Sequence, residues 1–267
     1  MKKLSILLVS LFTSAVLTST AYAAGGGGVA LDEPYFNMSD KASLQNGAKL
    51  FVNYCLSCHS AKYARYNRVA EDLEIPLYRL KENLMFTTEK EGDLMTTTMP
   101  EEDSKNWFGV TPPDLTLVSR VRKPNWVYTY LRAFYRDDDS PSGWDNSLFE
   151  KVAMPHAMYE LQGVQKVVRK GLPIDGSGNL IDREQVVAGL EDGQKLVGNA
   201  IFELSHPGEM TPDEFDEAMA DLTGFLVYLA EPAIMKRQSI GVYSIVFVLL
   251  LMGLCYLLKK EYWRDVH

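Results

Sequence analysis

Two long apolar runs bracket the chain, and between them apolar residues recur at helical spacing, broken by turn-rich and acidic stretches. The first run lies in MKKLSILLVSLFTSAVLTSTAYA: Lys2 and Lys3 lead, an apolar stretch follows, and Ala21-Tyr22-Ala23 ends it. That order predicts an export signal over residues 1–23, cleaved after Ala23 or Ala24. The second run, IGVYSIVFVLLLMGLCYLL at 240–258, carries no charged residue and approaches the roughly 20 residues that cross a bilayer as a helix. The predicted organisation is a signal at 1–23, an exported domain over 24–235, a membrane anchor over 236–259 and a tail over 260–267. The export signal sets the orientation, with the large domain outside the cytoplasm and the C-terminus inside.

Within the exported domain, SDKASLQNGAKLFVNYC reads as a helix with Ser39 or Asp40 as N-cap and Leu44, Ala48, Phe51 and Val52 on one face. VAEDLEIPLYRLKENLMF is helical in parts and broken at Pro76, and 87–110 reads as acidic, threonine-rich loop. NWVYTYLRAFYR at 125–136 predicts an amphipathic helix with Trp126, Tyr130, Leu131 and Phe134 as its apolar set. GLPIDGSGNLIDREQ holds Asp-Gly and Gly-Asn turn signals and predicts a short hairpin. The strongest helix is TPDEFDEAMADLTGFLVYLAEP, capped by Thr211, with Pro212 at its first position, acids in its first turn and a stop at Pro232. The fold class is therefore mainly α, with long loops, little strand and one transmembrane helix.

A formal charge of −8 over 267 residues argues against nucleic acid and favours a basic partner or simple solubility. Three cysteines rule out a disulfide framework, and two of them stand in VNYCLSCHS. A Cys-x-x-Cys-His run is the attachment pattern of a c-type haem: Cys55 and Cys58 form thioethers, and His59 binds the iron. A zinc site needs a second ligand pair, and the exported domain has no further cysteine. A thiol–disulfide motif needs a βαβ context that the pattern lacks.

The opposite face of the iron needs its own ligand, and methionine suits electron transfer by raising the reduction potential. Met99 in TTTMPEE and Met154 in EKVAMPHAM both precede proline, which holds the backbone extended. The shorter spacing from His59 favours Met99. The apolar surroundings of VAMPHAMYELQG favour Met154, with His156 and Met158 as further candidates.

Together, NGAKLFVNYCLSCHSAKYARYNRV, GVTPPDLTLVSRVR, NWVYTYLRAFYR, VAMPHAMYELQG and DLTGFLVYLAEPAIMKRQSIG resemble, in order, the cytochrome c1 family. That is the haem subunit of ubiquinol–cytochrome c reductase, here in its bacterial form. The resemblance implies a class I cytochrome c-like domain, one covalently attached haem c, and Met154 as the second axial ligand. It also implies that Arg122 contacts a haem propionate, with Pro112 and Pro113 walling the haem crevice. Trp126 stands where the family often has a tyrosine near a propionate. The segment 164–195 does not align clearly with the mitochondrial form and reads as an insertion. The implied function is transfer of one electron from a Rieske iron–sulfur protein to a soluble cytochrome c. The implied partners are a cytochrome b subunit, the Rieske protein, soluble cytochrome c and membrane lipid, in a dimeric complex. The implied place is the bacterial inner membrane, with the haem domain in the periplasm. The competing readings are a free-standing membrane-tethered cytochrome serving a terminal oxidase, and a haem catalyst or gas sensor with an open sixth site.

Overall fold

The computed structural model describes residues 29–265. The export signal read at 1–23 lies outside the described residues. Helix α1, Lys41–Leu50, opens where the Asp40 carboxylate accepts from the amides of Ala42 and Ser43. It runs directly into a π-helical turn, Phe51–Cys55, so the chain reaches Cys55 without leaving helical geometry. The predicted face is the buried one: Leu44, Ala48, Phe51 and Val52 all lie in the main core. Strand β1 (Ala61–Arg65), helix α2 (Tyr66–Asp72) and helix α3 (Leu77–Asn83) follow, with Pro76 capping α3.

The stretch read as loop is more ordered than its composition implies. Leu94–Met95 forms β2 against β1, and Glu101–Phe108 forms helix α4. Pro100 precedes α4, three acids occupy its first turn, and Gly109 ends it in the left-handed conformation (φ 74°). These are ordinary helix signals, since carboxylates favour the positive N-terminal end of the helix and glycine adopts positive φ without strain. Helices α5 (Val118–Val121) and α6 (Pro124–Arg132) come next. The amphipathic segment predicted as one helix to residue 136 instead turns at Ala133 into β3 (Phe134–Arg136), paired with β4 (Trp144–Asn146).

Helix α7 (Tyr159–Gln162) leads into a three-stranded antiparallel sheet in the order β5-β7-β6. Its strands are β5 (Gly163–Arg169), β6 (Gln194–Val197) and β7 (Ala200–Pro207), with the short helix α8 (Arg183–Ala188) between β5 and β6. The predicted Asp-Gly/Gly-Asn hairpin survives as a turn closed by an Ile174–Leu180 bridge. The sheet carries small apolar clusters of its own, one around Phe202, Val197 and Tyr135, another around Leu172, Leu196 and Ala30.

Helix α9, Pro212–Ala230, is capped as its sequence predicts: the Thr211 hydroxyl accepts from the Glu214 amide, and the Glu214 side chain reaches back to the Thr211 amide. It packs along α1, with Phe51 and Phe225 ring to ring at 5.7 Å. The contact has almost no spacer: a Cβ at Gly47 would overlap the Asp221 carbonyl and stand 2.7 Å from Phe225 Cβ. Ser43 and Asn46 donate to the Asp221 carboxylate on the flank of the same contact. A second pin is ionic. The Arg132 guanidinium forks onto Asp216 at 2.7 Å twice and reaches Asp32 at 2.9 Å, with Arg132 and Asp32 almost fully buried. Arg183 and Lys195 close the network from the sheet side. Helix α10, Ile234–Tyr262, follows α9 after a short turn. Its Ile240–Tyr262 portion is long and apolar enough to cross a membrane, and none of its apolar window is buried in the domain.

Candidate functional site

The π-helical turn ends in a tight loop. The amides of Cys58 and His59 both donate to the Cys55 carbonyl, at 3.0 and 2.7 Å, so the two thiols and the imidazole share a single turn. Among the described residues neither cysteine is tied up in a disulfide. Burial pushes the Cys55 thiol up to about 12, and the neighbouring Cys58 adds to the effect. A thiol held protonated in this way is a poor nucleophile, which argues against a thiol–disulfide centre.

His59 is fixed by a backbone atom. Its Nδ1 lies 2.7 Å from the Pro113 carbonyl oxygen. A carbonyl only accepts, so Nδ1 carries the proton and donates, and Nε2 keeps its lone pair. Burial lowers the basicity of the ring, opposed by the Pro113 bond and by Asp114. A neutral imidazole with one nitrogen committed and the other free is the form a metal ligand requires. Two thiols at the attachment spacing and one oriented imidazole fit a covalently bound haem.

Three of the remaining site residues named by the sequence, Arg122, Trp126 and Met154, come together beside helix α6. The Arg122 guanidinium lies over the Trp126 ring at 4.9 Å. Trp126 stacks on Tyr130 with centroids 4.9 Å apart and planes 11° from parallel. The Tyr130 hydroxyl donates to the Met154 sulfur at 3.4 Å. Arg122 is exposed and, among the described residues, pairs with no carboxylate, so its fork is free for an acidic group. Tyr130 is the member of this column that sequence reasoning missed as a polar contact. Its i, i+4 spacing from Trp126 signalled the stack, but not what the hydroxyl meets.

Met99 lies elsewhere. A cavity of about 220 Å3 beside Cys58 is lined by Met99, Thr97, Thr111, Pro112 and Asp114. Thr97 bonds to the Ser57 carbonyl and the Ser60 hydroxyl, which flank His59, and Pro112 adjoins the acceptor of Nδ1. Met99 thus lines the cavity beside Cys58, while Met154 is grouped with Arg122 and Trp126 through Tyr130. His156 is almost fully buried, stacked on Phe134 at 5.0 Å with Trp144 edge-on at 5.1 Å. Among the described residues neither ring nitrogen has a partner at ordinary hydrogen-bond geometry, and burial pushes the pKa down to about 4, opposed by the nearby Gln162. Met158 is fully buried in the main core.

A Cys-x-x-Cys-His turn with a carbonyl-oriented histidine, on a helical frame that continues into an apolar helix, defines a membrane-anchored c-type cytochrome. The profile of the Cytochrome C1 family matches residues 32–165 and 206–266, and the chain belongs to that family. It is 46% identical over 257 residues to cytochrome c1 of Allochromatium vinosum, covering 96% of this chain and 98% of the relative. It is 41% identical over 239 residues to a protein named ammonia monooxygenase gamma subunit from Nitrosomonas europaea, covering 90% of each. Cytochrome b/c1 of Bradyrhizobium diazoefficiens is 24% identical over 265 residues, which span 87% of this chain but 34% of that relative. Proteins of the family carry a covalently attached haem c, and Cys55 and Cys58 stand at the attachment positions. The chain is therefore an electron-transfer cytochrome of a respiratory chain. The internal stretch left unmatched by the family, 166–205, forms most of the three-stranded sheet and overlaps the predicted insertion at 164–195.

Proposed function

We propose that this cytochrome takes one electron from a Rieske iron–sulfur protein and hands it to a soluble cytochrome c within a ubiquinol–cytochrome c reductase. The observation that carries the proposal is the family match on both sides of the haem-attachment turn and across the apolar helix. The relative whose name joins cytochrome b to c1, matched over about a third of its length, supports a cytochrome b partner for α10. We further propose an export signal at 1–23 and a haem domain on the periplasmic side, with a dimeric complex as the working assembly.

When bound, the haem supplies a one-electron iron couple, and the chain supplies everything that fixes its environment. Cys55 and Cys58 anchor the ring edge. His59, oriented by Pro113, would offer Nε2 to the iron, and Met154 would offer its thioether. The Arg122 guanidinium would neutralise a propionate, steadied by the Trp126 ring beneath it. With both His59 and Met154 as ligands, a bound haem would have no open position, which suits one-electron transfer with little rearrangement. The acids at 101–103 and 137–139 support docking of a basic acceptor, in a salt-dependent manner.

The test is the optical spectrum and redox titration of the purified protein beside Met154→Leu and Met99→Leu. Loss of the methionine–iron charge-transfer band, with a large fall in potential, in Met154→Leu alone supports the assignment. Persistence of the band in that variant overturns it. The Nitrosomonas relative's name favours a second reading, a cytochrome assembled with an oxygenase. Mild purification of the chain from its membrane separates the two, since the main proposal requires cytochrome b and an iron–sulfur protein in the same particle.

A further inference from the structure

We infer that the Tyr130 hydroxyl is a positioning and tuning group for the axial sulfur, holding Met154 through a hydrogen bond and thereby raising the reduction potential of the site. The inference rests on Met154 being the ligand, as proposed above, and adds a residue that the sequence reading placed only among packing positions.

The chemistry of the contact is one-directional. A thioether sulfur has no proton, so at 3.4 Å the phenol donates and Met154 accepts. The sulfur has two lone pairs, and one suffices for a metal. The second is free to take the phenol, so coordination and the hydrogen bond coexist. Among the described residues Tyr130 has no other hydroxyl partner, and the sulfur is the acceptor that keeps this half-buried phenol from being unsatisfied.

The phenol is aimed by its surroundings. Trp126 stacks on its ring, and Phe134 meets it edge-on at 5.1 Å and 71°. The Asn146 amide donates to the Tyr130 carbonyl at 2.9 Å, tying the end of α6 to β4. The segment that carries Met154 is tied to the same hairpin, because the Val152 amide donates to the Asp145 carboxylate at 3.2 Å. Hydroxyl and sulfur are thus presented to each other from one fixed frame, rather than meeting across two mobile loops.

Two consequences follow. A hydrogen bond to the sulfur restricts the rotation of an otherwise flexible side chain, so less freedom is lost on ligation. It also draws electron density from the sulfur, and that loss disfavours the oxidised metal more than the reduced one. The direction is therefore fixed: deleting the hydroxyl lowers the potential.

The experiment compares wild type, Tyr130→Phe and Tyr128→Phe, each purified as the full-length haem-bearing protein with its membrane partners. Tyr128 sits on the same helix but turns its ring to the Arg132 guanidinium, 4.4 Å away. The readouts are the redox midpoint and the position of the methionine–iron charge-transfer band. In Tyr130→Phe the band persists but moves, and the reduced-to-oxidised ratio at fixed applied potential falls about threefold, ~28 mV at 59 mV per tenfold. Tyr128→Phe leaves both unchanged. A Tyr130→Phe protein with wild-type midpoint and band overturns the inference, even where its melting temperature has dropped, because a packing role alone moves stability and not the couple. Met154→Leu separates the two ideas. If it loses the band while Tyr130→Phe changes nothing, the ligand reading stands and the tyrosine inference fails. If it keeps the band, both fail together.

Discussion

Replacing Gly47 by alanine tests the α1–α9 contact on which the haem-attachment turn hangs. The added methyl would overlap the Asp221 carbonyl and approach Phe225 Cβ to 2.7 Å, so the helices must move apart. They are not free to do so, because Ser43 and Asn46 bond to the Asp221 carboxylate beside the same crossing. Overpacking of this kind, against backbone rather than a flexible side chain, costs about 3 kcal/mol. Alanine in place of a mid-helix glycine returns about 1 kcal/mol through helix propensity. The clash wins, and the net loss is about 2 kcal/mol, or ~4–8 °C in melting temperature for a domain of this size. The assay is thermal unfolding of the haem-bearing protein followed by far-UV circular dichroism, with haem content measured on the same samples. Helix α1 continues without a break into Cys55, so imperfect seating also lowers the fraction of chains that acquire haem. A Gly47→Ala protein that melts within about 1 °C of wild type, with full haem content, refutes the reasoning. It would mean that the two helices stand further apart than described.

Arg132→Leu strands the buried Asp32 carboxylate beside the weaker, half-exposed Arg183 and costs about 3–5 kcal/mol; denaturant unfolding measures it, and a loss under about 1 kcal/mol contradicts the network as drawn. His156 titrates near 4 in the folded domain against ~6.5 unfolded, so the unfolded state binds the extra proton. Stability therefore falls as pH drops from about 6.5 to 4, by about 3 kcal/mol in all, and His156→Phe flattens that part of the melting-temperature profile. An unchanged slope in that variant assigns the acid sensitivity to other groups.

Much of the frame was legible in the sequence. The period of Leu44, Ala48, Phe51 and Val52 marked both α1 and its buried face, and Thr211, Pro212 and the first-turn acids marked α9. The attachment turn was legible because Cys-x-x-Cys-His is a covalent requirement and not a packing preference. What escaped had physical causes. Phe134 and Tyr135 continue the helical period of α6, yet pairing with Trp144–Asn146 supplies ladder bonds that propensity cannot foresee, so the helix stops at Arg132. The acids at 101–103 read as loop because their polarity masks the Pro100 and Gly109 that bound a helix there. The partner of His59 is a main-chain oxygen of Pro113, and a carbonyl has no letter in a sequence. The Tyr130–Met154 contact joins residues 24 positions apart, and each taken singly is an ordinary core residue.

The three-stranded sheet enters and leaves the family frame at almost the same place. Gly163 pairs with Pro207 and Val164 with His206, and a Cβ on Gly208 would strike the Leu161 carbonyl and the Gly163 amide. The unmatched stretch at 166–205 is thus an outgrowth on a zipped stem whose two feet stand one strand apart. Lengthening such an outgrowth adds closure entropy only logarithmically, so its extent can change between relatives at little thermodynamic cost. The stem absorbs the change: Gln165 at its base bonds to the carbonyls of Arg132 and Phe134, and so locks the feet to the end of α6. The stretch is also tied back to the domain, since Arg183 and Lys195 reach Asp32 and Asp216 and Phe202 packs with Tyr135, so its exposed turns are where length can change while the helix that carries Trp126 and Tyr130 keeps its position.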